Sequence, residues 1–128
     1  MAGKILVADD EASILHVVTL KLRNAGYEII TAVDGEEAYE LCIAESPDMI
    51  LVDNQMPYMT GLEVCKKLKA NGSKIPAIMV TARGFELDGD ELAAAGIVAL
   101  LAKPFSPREL LEKVNFFFEK LNQKAIAG

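Results

Sequence analysis

The sequence predicts an α/β fold in which five strands alternate with five helices and form a parallel sheet. The first indication is the segment 48–53, where mostly apolar residues lead directly into the carboxylate of Asp53. A short apolar run of this kind, bounded by Pro47 and by Met56-Pro57, is typical of a strand buried on both faces. The second indication is that three other apolar runs also end in polar side chains. The third is that helix-length segments separate the runs, as parallel strands require.

The first half of the chain predicts three strands and two helices. The predicted strands are 5–8, 27–32 and 48–53. The first helix starts at Asp10 or Glu11, because carboxylates are favoured in a first turn, and it ends at 24–26. Its apolar positions recur at helical spacing, at Leu15, Val18 and Leu22. Asp34 caps the second helix, which ends at Ser46-Pro47.

The third helix and the last two strands follow from turn residues and apolar runs. The helix begins near Thr60 or Gly61, and Asn71-Gly72 ends it. The predicted strands are 76–80 and 98–102. Proline is tolerated at the first position of a strand, so Pro76 is compatible with this assignment.

The fourth and fifth helices have signals of different strength. A fourth helix is expected within 82–95, although Gly84 and the segment 88–90 weaken its beginning. The last helix has a full N-terminal signature, with a serine cap, proline at the first helical position and glutamate at the third. These residues are Ser106, Pro107 and Glu109.

Length, composition and charge restrict the class of protein. The chain has 128 residues, 52% of them apolar, which is enough for one globular domain with an ordinary core. The net charge of −6 disfavours nucleic acid binding, because no basic face offsets it. The longest apolar stretch, 93–102, is too short to span a membrane, and the N-terminal residues leave no room for a secretory signal. We therefore expect a single domain over 1–128, located in the cytoplasm, that binds neither nucleic acid nor membrane.

The cysteines and the histidine do not indicate a metal site. Cys42 and Cys65 fall on the apolar stripes of predicted helices and are expected to be buried free thiols. His16 has no cysteine or second histidine near it, so a surface or half-buried position is expected.

Polar side chains stand at the ends of four predicted strands. Asp9, Asp10 and Glu11 follow the first strand, Asp53 ends the third, Thr81 follows the fourth and Lys103 follows the fifth. The carboxyl ends of parallel strands form one edge, where open α/β sheets bind ligands, so these groups should converge. A desolvated carboxylate is costly unless it is paired or bound to a metal, so Asp53 is either a structural ion-pair partner or a working group. Together the groups are the parts of a magnesium and phosphoryl site.

These motifs resemble those of the receiver domain of two-component response regulators, over about 4–124. Four motifs carry the resemblance, each after its own strand and in the same order. They are Asp9-Asp10, Asp53 followed by Met56-Pro57 and Gly61, Thr81-Ala82, and Lys103-Pro104-Phe105. The chain resembles the single-domain, chemotaxis-regulator-like type. The resemblance implies a flavodoxin-like (βα)5 doubly wound sheet with strand order 2-1-3-4-5.

The resemblance also implies a phosphoacceptor and a metal site. Asp53 would accept a phosphoryl group from the phosphohistidine of a sensor histidine kinase or of a histidine phosphotransfer domain. Asp10 and Asp53 would bind Mg²⁺ directly, with Mn²⁺ as a substitute. The backbone carbonyl of Gln55 would be a further ligand, and Asp9 would act through water.

The remaining motifs imply a phosphoryl contact and a switch. Lys103 would contact the phosphoryl group, and the Lys103–Pro104 peptide bond would be cis. Thr81 would be the switch hydroxyl, with Ala82 directly after it. The family often has an aromatic residue three positions before the lysine, where this chain has Leu100. Output would then depend on backbone shifts in the loop after Thr81 and in the fourth helix.

Two variable positions would tune the lifetime of the phosphoryl group. They are Gln55, two residues after Asp53, and Arg83, two residues after Thr81. We expect Arg83 to reach across the phosphoryl group and obstruct the attacking water, which would prolong the phosphorylated state.

The function that the resemblance implies is a signalling switch rather than an enzyme, apart from self-phosphorylation from small phosphodonors and autodephosphorylation. It would change its binding to a partner protein through the face made by the fourth helix, fifth strand and fifth helix, as a monomer or a phosphorylation-dependent dimer. Two variants stay open: a phosphorelay intermediate that passes the group to a histidine phosphotransfer domain, and a receiver cut from a longer polypeptide. The alternative from another class is an aspartate-nucleophile phosphatase, which carries a second acid where this chain has Gln55.

Overall fold

Five parallel strands form one sheet in the order β2-β1-β3-β4-β5 in the computed structural model, which describes residues 3–82 and 87–127. The strands are β1 (Lys4–Ala8), β2 (Glu28–Ala32), β3 (Met49–Asp53), β4 (Ala77–Ala82) and β5 (Ile97–Lys103). The helices are α1 (Ala12–Asn24), α2 (Gly35–Glu45), α3 (Gly61–Ala70), α4 (Gly89–Ala94) and α5 (Pro107–Ala127). The flavodoxin-like strand order is therefore confirmed.

Two apolar layers cover the faces of the sheet. Successive strand residues point to opposite faces, so Met49 and Leu51 of β3 pack in the layer with α1 and α5. Ile50 and Val52 pack in the layer with α2, α3 and α4. Every residue of β3 is buried, as expected for a central strand covered on both sides. Asp53 thus ends the strand with the least access to water.

Three helices begin at the capping residues that the sequence predicts. In each case a side-chain oxygen accepts a hydrogen bond from a first-turn N–H group that has no partner within the helix. The pairs are Asp34 with Glu37 N at 2.8 Å, Thr60 with Glu63 N at 3.1 Å and Ser106 with Glu109 N at 3.0 Å. These caps fix the starts of α2, α3 and α5 relative to the strands before them.

The last two strands extend beyond their predicted ends. Thr81 pairs with Ala102 and Ala82 pairs with Lys103, so backbone pairing continues after the apolar run has stopped. Thr81 and Lys103 therefore lie within β4 and β5 instead of following them, and that expectation was wrong by one or two residues. The consequence is that both side chains are held by the sheet.

The fourth helix is shorter than the segment within which it is predicted. It begins at Gly89, where the side chain of Asp88 accepts a hydrogen bond from Asp90 N at 2.9 Å. The expectation for Arg83 falls on the segment 83–86, which lies outside the described residues.

The cysteines and the histidine are placed as predicted. Cys42 and Cys65 are buried free thiols on α2 and α3, and His16 is exposed on α1. Burial raises the pKa of each thiol to about 12. Across the described ranges, no helix has the length and apolar character needed to cross a membrane.

Candidate functional site

Three carboxylates meet at the carboxyl edge of the sheet. Asp9 and Asp10 follow β1, and Asp53 ends the neighbouring strand β3. Each offers an oxygen within 4.8 Å of the oxygens of the other two. Asp9 and Asp53 are only 3% and 4% exposed, whereas Asp10 faces solvent. The predicted convergence of these acids is therefore observed.

Lys103 supplies positive charge to this cluster from the end of β5. Its Nζ lies 2.7 Å from Asp53 Oδ2, 3.3 Å from Glu11 Oε1 and 3.4 Å from Asp9 Oδ2. The short contact with Asp53 compensates the burial of that carboxylate. One ammonium cannot neutralise four carboxylates, so the site keeps a strong preference for a further cation.

Backbone N–H groups orient the two buried carboxylates. Gln55 N donates to Asp53 Oδ1 at 3.0 Å, and Glu11 N donates to Asp9 Oδ1 at 2.9 Å. In each residue the loop holds one carboxylate oxygen while the second oxygen lies toward Lys103. The two side chains are thus fixed by their own loops before any ligand binds.

The pKa values show how burial and charge compete here. Burial raises the pKa of Asp9, and the charge of Asp53 adds to the rise, against the opposing hydrogen bond from Glu11 N and the charge of Lys103. For Lys103, burial lowers the pKa, but the hydrogen bond and charge of Asp53 outweigh it, with help from Asp9 and Glu11. The pKa of Lys103 therefore lies above its ordinary value, and the side chain is a permanent cation at neutral pH.

Thr81 lies on the neighbouring strand and brings a hydroxyl to the same edge. The preceding residue, Val80, pairs with Asp53 in the sheet. Thr81 is buried, and its Oγ1 has no hydrogen-bond partner among the described residues. An unpaired buried hydroxyl is costly, so this oxygen is suited to a polar group bound beside Asp53.

The loop after Asp53 is tightly packed against the start of α3. Asn54 is buried, its Oδ1 accepts from Leu62 N at 3.2 Å, and its backbone oxygen accepts from Gly61 N at 3.0 Å. A Cβ atom on Gly61 would lie 2.6 Å from the Asp53 carbonyl oxygen, so no larger residue fits without a backbone shift. The start of α3 therefore fixes the backbone of Asp53.

Two of these site residues are not singled out by the sequence patterns. Glu11 is named there as a helix start and as one of the acids after the first strand, but no contact with Lys103 is predicted for it. Asn54 gives a signal only as a polar residue that follows a buried strand. Both act through contacts that depend on the folded arrangement.

The structure also describes the other predicted positions, which are Pro104, Ala82 and Leu100. The Lys103–Pro104 peptide bond is cis. Ala82 and Lys103 line a groove of about 490 Å³ between α1 and the turn after β5, together with Glu11 and Pro104. Leu100 is exposed on β5.

The chain resembles known proteins over most of its length. Residues 5–115 match the family model described as the response regulator receiver domain. The chain is 42% identical over 114 residues to the alkaline phosphatase synthesis transcriptional regulatory protein PhoP of Bacillus subtilis (strain 168), covering 89% of this chain and 48% of that protein. It is 39% identical over 128 residues to the probable transcriptional regulator ycf27 of Guillardia theta, covering 98% of this chain and 49% of that protein. The chain thus spans about half the length of these curated relatives.

Solved structures have the same fold. The receiver domain of the Francisella response regulator 1452 superposes with a TM-score of 0.85 at 32% identity, covering 93% of this chain and 98% of that one. The chemotaxis response regulator CheY4 of Vibrio cholerae superposes with a TM-score of 0.82 at 35% identity, covering 90% and 98%. The family model, the relatives and the fold agree over most of the sequence, and the chain therefore belongs to the receiver domains of response regulators, which act in two-component signalling.

Proposed function

We propose that Asp53 accepts a phosphoryl group from a phosphohistidine, in a Mg²⁺-dependent reaction, and that the phosphorylated form binds a different partner. Response regulator receiver domains interact with histidine kinases and effector partners, and they are signalling domains, generally not enzymes. The donor would be a sensor histidine kinase or a histidine phosphotransfer domain. The observation that carries this proposal is the cluster of three carboxylates within 4.8 Å, with Lys103 Nζ 2.7 Å from Asp53.

The donor set fits a divalent cation. Receiver domains bind Mg²⁺ at an acidic pocket, and carboxylate oxygens are the ligands that Mg²⁺ prefers. Asp10 and Asp53 would hold the ion with the backbone carbonyl of Gln55, and Asp9 would act through water; Mn²⁺ would serve in its place. When bound, the ion supplies positive charge to the oxygens of the transferred phosphoryl group.

The reaction needs positioning more than covalent assistance. A carboxylate oxygen of Asp53 attacks phosphorus, and an acyl phosphate bond forms as the phosphorus–nitrogen bond to the donor imidazole breaks. The bonding electron pair stays on the ring nitrogen, which takes up a proton. Lys103 would contact a phosphoryl oxygen, since its Nζ already lies beside the reacting carboxylate.

The change in partner binding would start at Thr81. Its hydroxyl would donate to a phosphoryl oxygen and pull the end of β4, including Ala82, toward Asp53. Because β4 pairs with β5, this shift would reach the face formed by α4, β5 and α5. Large apolar side chains are exposed there on β5 and α5, at Val98, Leu100 and Phe116. They suit a protein partner or a second copy of the chain.

The test is to incubate the protein with phosphoramidate and Mg²⁺ and to measure its intact mass. We expect the wild type to gain one phosphoryl group and Asp53→Asn to gain none. Hydrogen exchange should then differ between the phosphorylated and unphosphorylated protein in β4 and β5. A wild type that gains no mass, or an Asp53→Asn variant that gains the same mass, would contradict the proposal.

A further inference from the structure

Glu11 lies at the start of α1, but its side chain is directed to another part of the molecule. It is the N-cap residue of that helix, yet its carboxylate accepts no capping hydrogen bond from the first turn. The short side chains of Ser, Thr, Asp and Asn are the ones that cap from this position, and the longer glutamate is not a preferred cap. Here Oε1 instead lies 3.3 Å from Lys103 Nζ, at the end of β5. The partner of this side chain is therefore a residue 92 positions away and not its own helix.

The ammonium of Lys103 donates hydrogen bonds to two carboxylates and forms an ion pair with a third. It carries three N–H donors, and three carboxylate oxygens lie around it, from Asp53, Glu11 and Asp9. Before transfer, a phosphoryl oxygen of the incoming donor must compete with these carboxylates for the N–H groups of Lys103. The ammonium is therefore already occupied before phosphoryl transfer.

The partner that can give way with least disturbance is Glu11. Asp9 is buried and its other oxygen is held by the backbone of Glu11, so it cannot turn aside. The Glu11 side chain is 57% exposed and is long enough to swing into water, where its charge is solvated. Asp53 keeps its charge and its contact with Lys103 until transfer, because it carries the reacting oxygen, and it loses that charge only when the acyl phosphate forms.

We propose that Glu11 is a positioning residue that holds Lys103 in the unphosphorylated protein and yields it to the phosphoryl group. This inference rests on the proposed role of Asp53. Until it yields, Glu11 occupies one direction of the ammonium and adds a negative charge that faces an anionic donor. Both effects restrain phosphoryl uptake. The same contact ties the start of α1 to the end of β5, across the groove that both residues line.

The kinetic test compares Glu11→Gln with the wild type, using phosphoramidate at saturating Mg²⁺ and the second-order rate constant of mass gain. Glutamine keeps the shape of the side chain and removes its charge. We expect a rate roughly three- to tenfold higher, the effect of one charge at short range in a partly solvated site, and a gain that shrinks as salt is added. Glu11→Asp keeps the charge but moves it farther from Lys103, because aspartate is one methylene shorter. Its rate of phosphoryl uptake should fall between the rates of the other two proteins.

The matched control is Glu112→Gln, which removes the same charge from α5. Glu112 pairs with Arg108 on an exposed helix face. The Glu112→Gln protein should therefore take up the phosphoryl group at the wild-type rate. The contact is also tested without metal or donor, by urea denaturation of Glu11→Gln, Lys103→Met and the double variant. We expect non-additive changes in the free energy of unfolding, because the two side chains interact.

The outcomes separate the two proposals. A wild type that gains no phosphoryl group overturns the role of Asp53, and the inference falls with it. A wild type that is phosphorylated at the same rate as Glu11→Gln, or faster, overturns the role of Glu11 alone. Additive unfolding free energies overturn the Glu11–Lys103 contact on which that role depends.

Discussion

Asp9 shows that the site is built at a cost in stability. Burial raises the pKa of its carboxyl, so the ionised form is less favourable in the folded protein than in the unfolded chain. A group with a raised folded pKa contributes stability that is fully present below its unfolded pKa, about 3.9, and lost as the pH rises through the folded value. Functional sites often keep such unfavourable groups because the chemistry needs them.

The expected result is that Asp9→Asn raises the free energy of unfolding of the metal-free protein at neutral pH. Asparagine resembles the protonated carboxyl, so the advantage should vanish below about pH 4, where the wild type is protonated as well. Urea denaturation at both pH values measures this.

Asp90→Asn is the matched control, because Asp90 is exposed on α4 and should show no comparable gain. Added Mg²⁺ should narrow the difference for Asp9→Asn, since a bound cation compensates the crowded acids of the wild type. An Asp9→Asn protein that is less stable than the wild type at neutral pH without metal would refute the argument.

The junction of β3 and α3 depends on the absence of a side chain at Gly61. A Cβ atom there would lie 2.6 Å from Asp53 O and 3.0 Å from Asn54 Cα, and backbone atoms cannot move aside as a flexible side chain could. We expect Gly61→Ala to cost about 1–3 kcal/mol of stability, as overpacking does, and to slow phosphoryl uptake by displacing Asp53. Denaturation and the phosphoramidate rate measure the two effects.

Gly89 provides the matched control at the start of α4. A Cβ atom there would meet nothing within 4 Å. Gly89→Ala should therefore be neutral or stabilise the protein by about 0.4–1 kcal/mol, because alanine reduces the freedom of the unfolded chain. Equal stability losses in the two variants would show that crowding at Gly61 is not the cause.

The reactivity of the two buried thiols measures how often the whole fold opens. Cys42 and Cys65 lie in the layer between the sheet and helices α2 and α3, and burial raises the pKa of both to about 12. The thiolate is the reactive form, so native protein at pH 8 should react with a disulfide reagent only after unfolding. Both thiols should then react together, at a rate that rises with urea.

The same pKa values predict a loss of stability in alkali. In the unfolded chain the thiols ionise near pH 8.5. The stability linked to their burial is therefore complete below that pH and is lost as the pH rises toward about 12. Rapid labelling of one thiol in native buffer at pH 8 would mean that its layer opens locally, and it would contradict the prediction that both thiols react only after unfolding.

Much of the architecture could be predicted because local patterns specify it. The caps at Asp34, Thr60 and Ser106 act within one helical turn, so their residue types are sufficient signals. The buried run that ends in Asp53 identifies the central strand by composition alone. The convergence of the polar strand ends follows from one geometric rule, that parallel strands share a carboxyl edge.

The contacts of the site could not be predicted in the same way. The extension of β4 and β5 to Thr81 and Lys103 depends on pairing between the strands, which the apolar pattern does not record. The contact of Glu11 with Lys103 joins residues 92 positions apart, and no short-range pattern links them. The hydrogen bond from Leu62 N to Asn54 likewise requires the finished turn after Asp53.

The chain alone therefore specified the alternation of strands and helices, the helix caps and the identity of the polar groups at the edge, because each depends on neighbours within a few residues. The folded arrangement decided which oxygen of Asp53 lies against Lys103, that Thr81 keeps an unpaired buried hydroxyl among the described residues, and that Glu11 turns away from its own helix. The physical reason is distance along the chain: burial, pKa and ion pairing at this edge arise from strands that meet only once the sheet has formed.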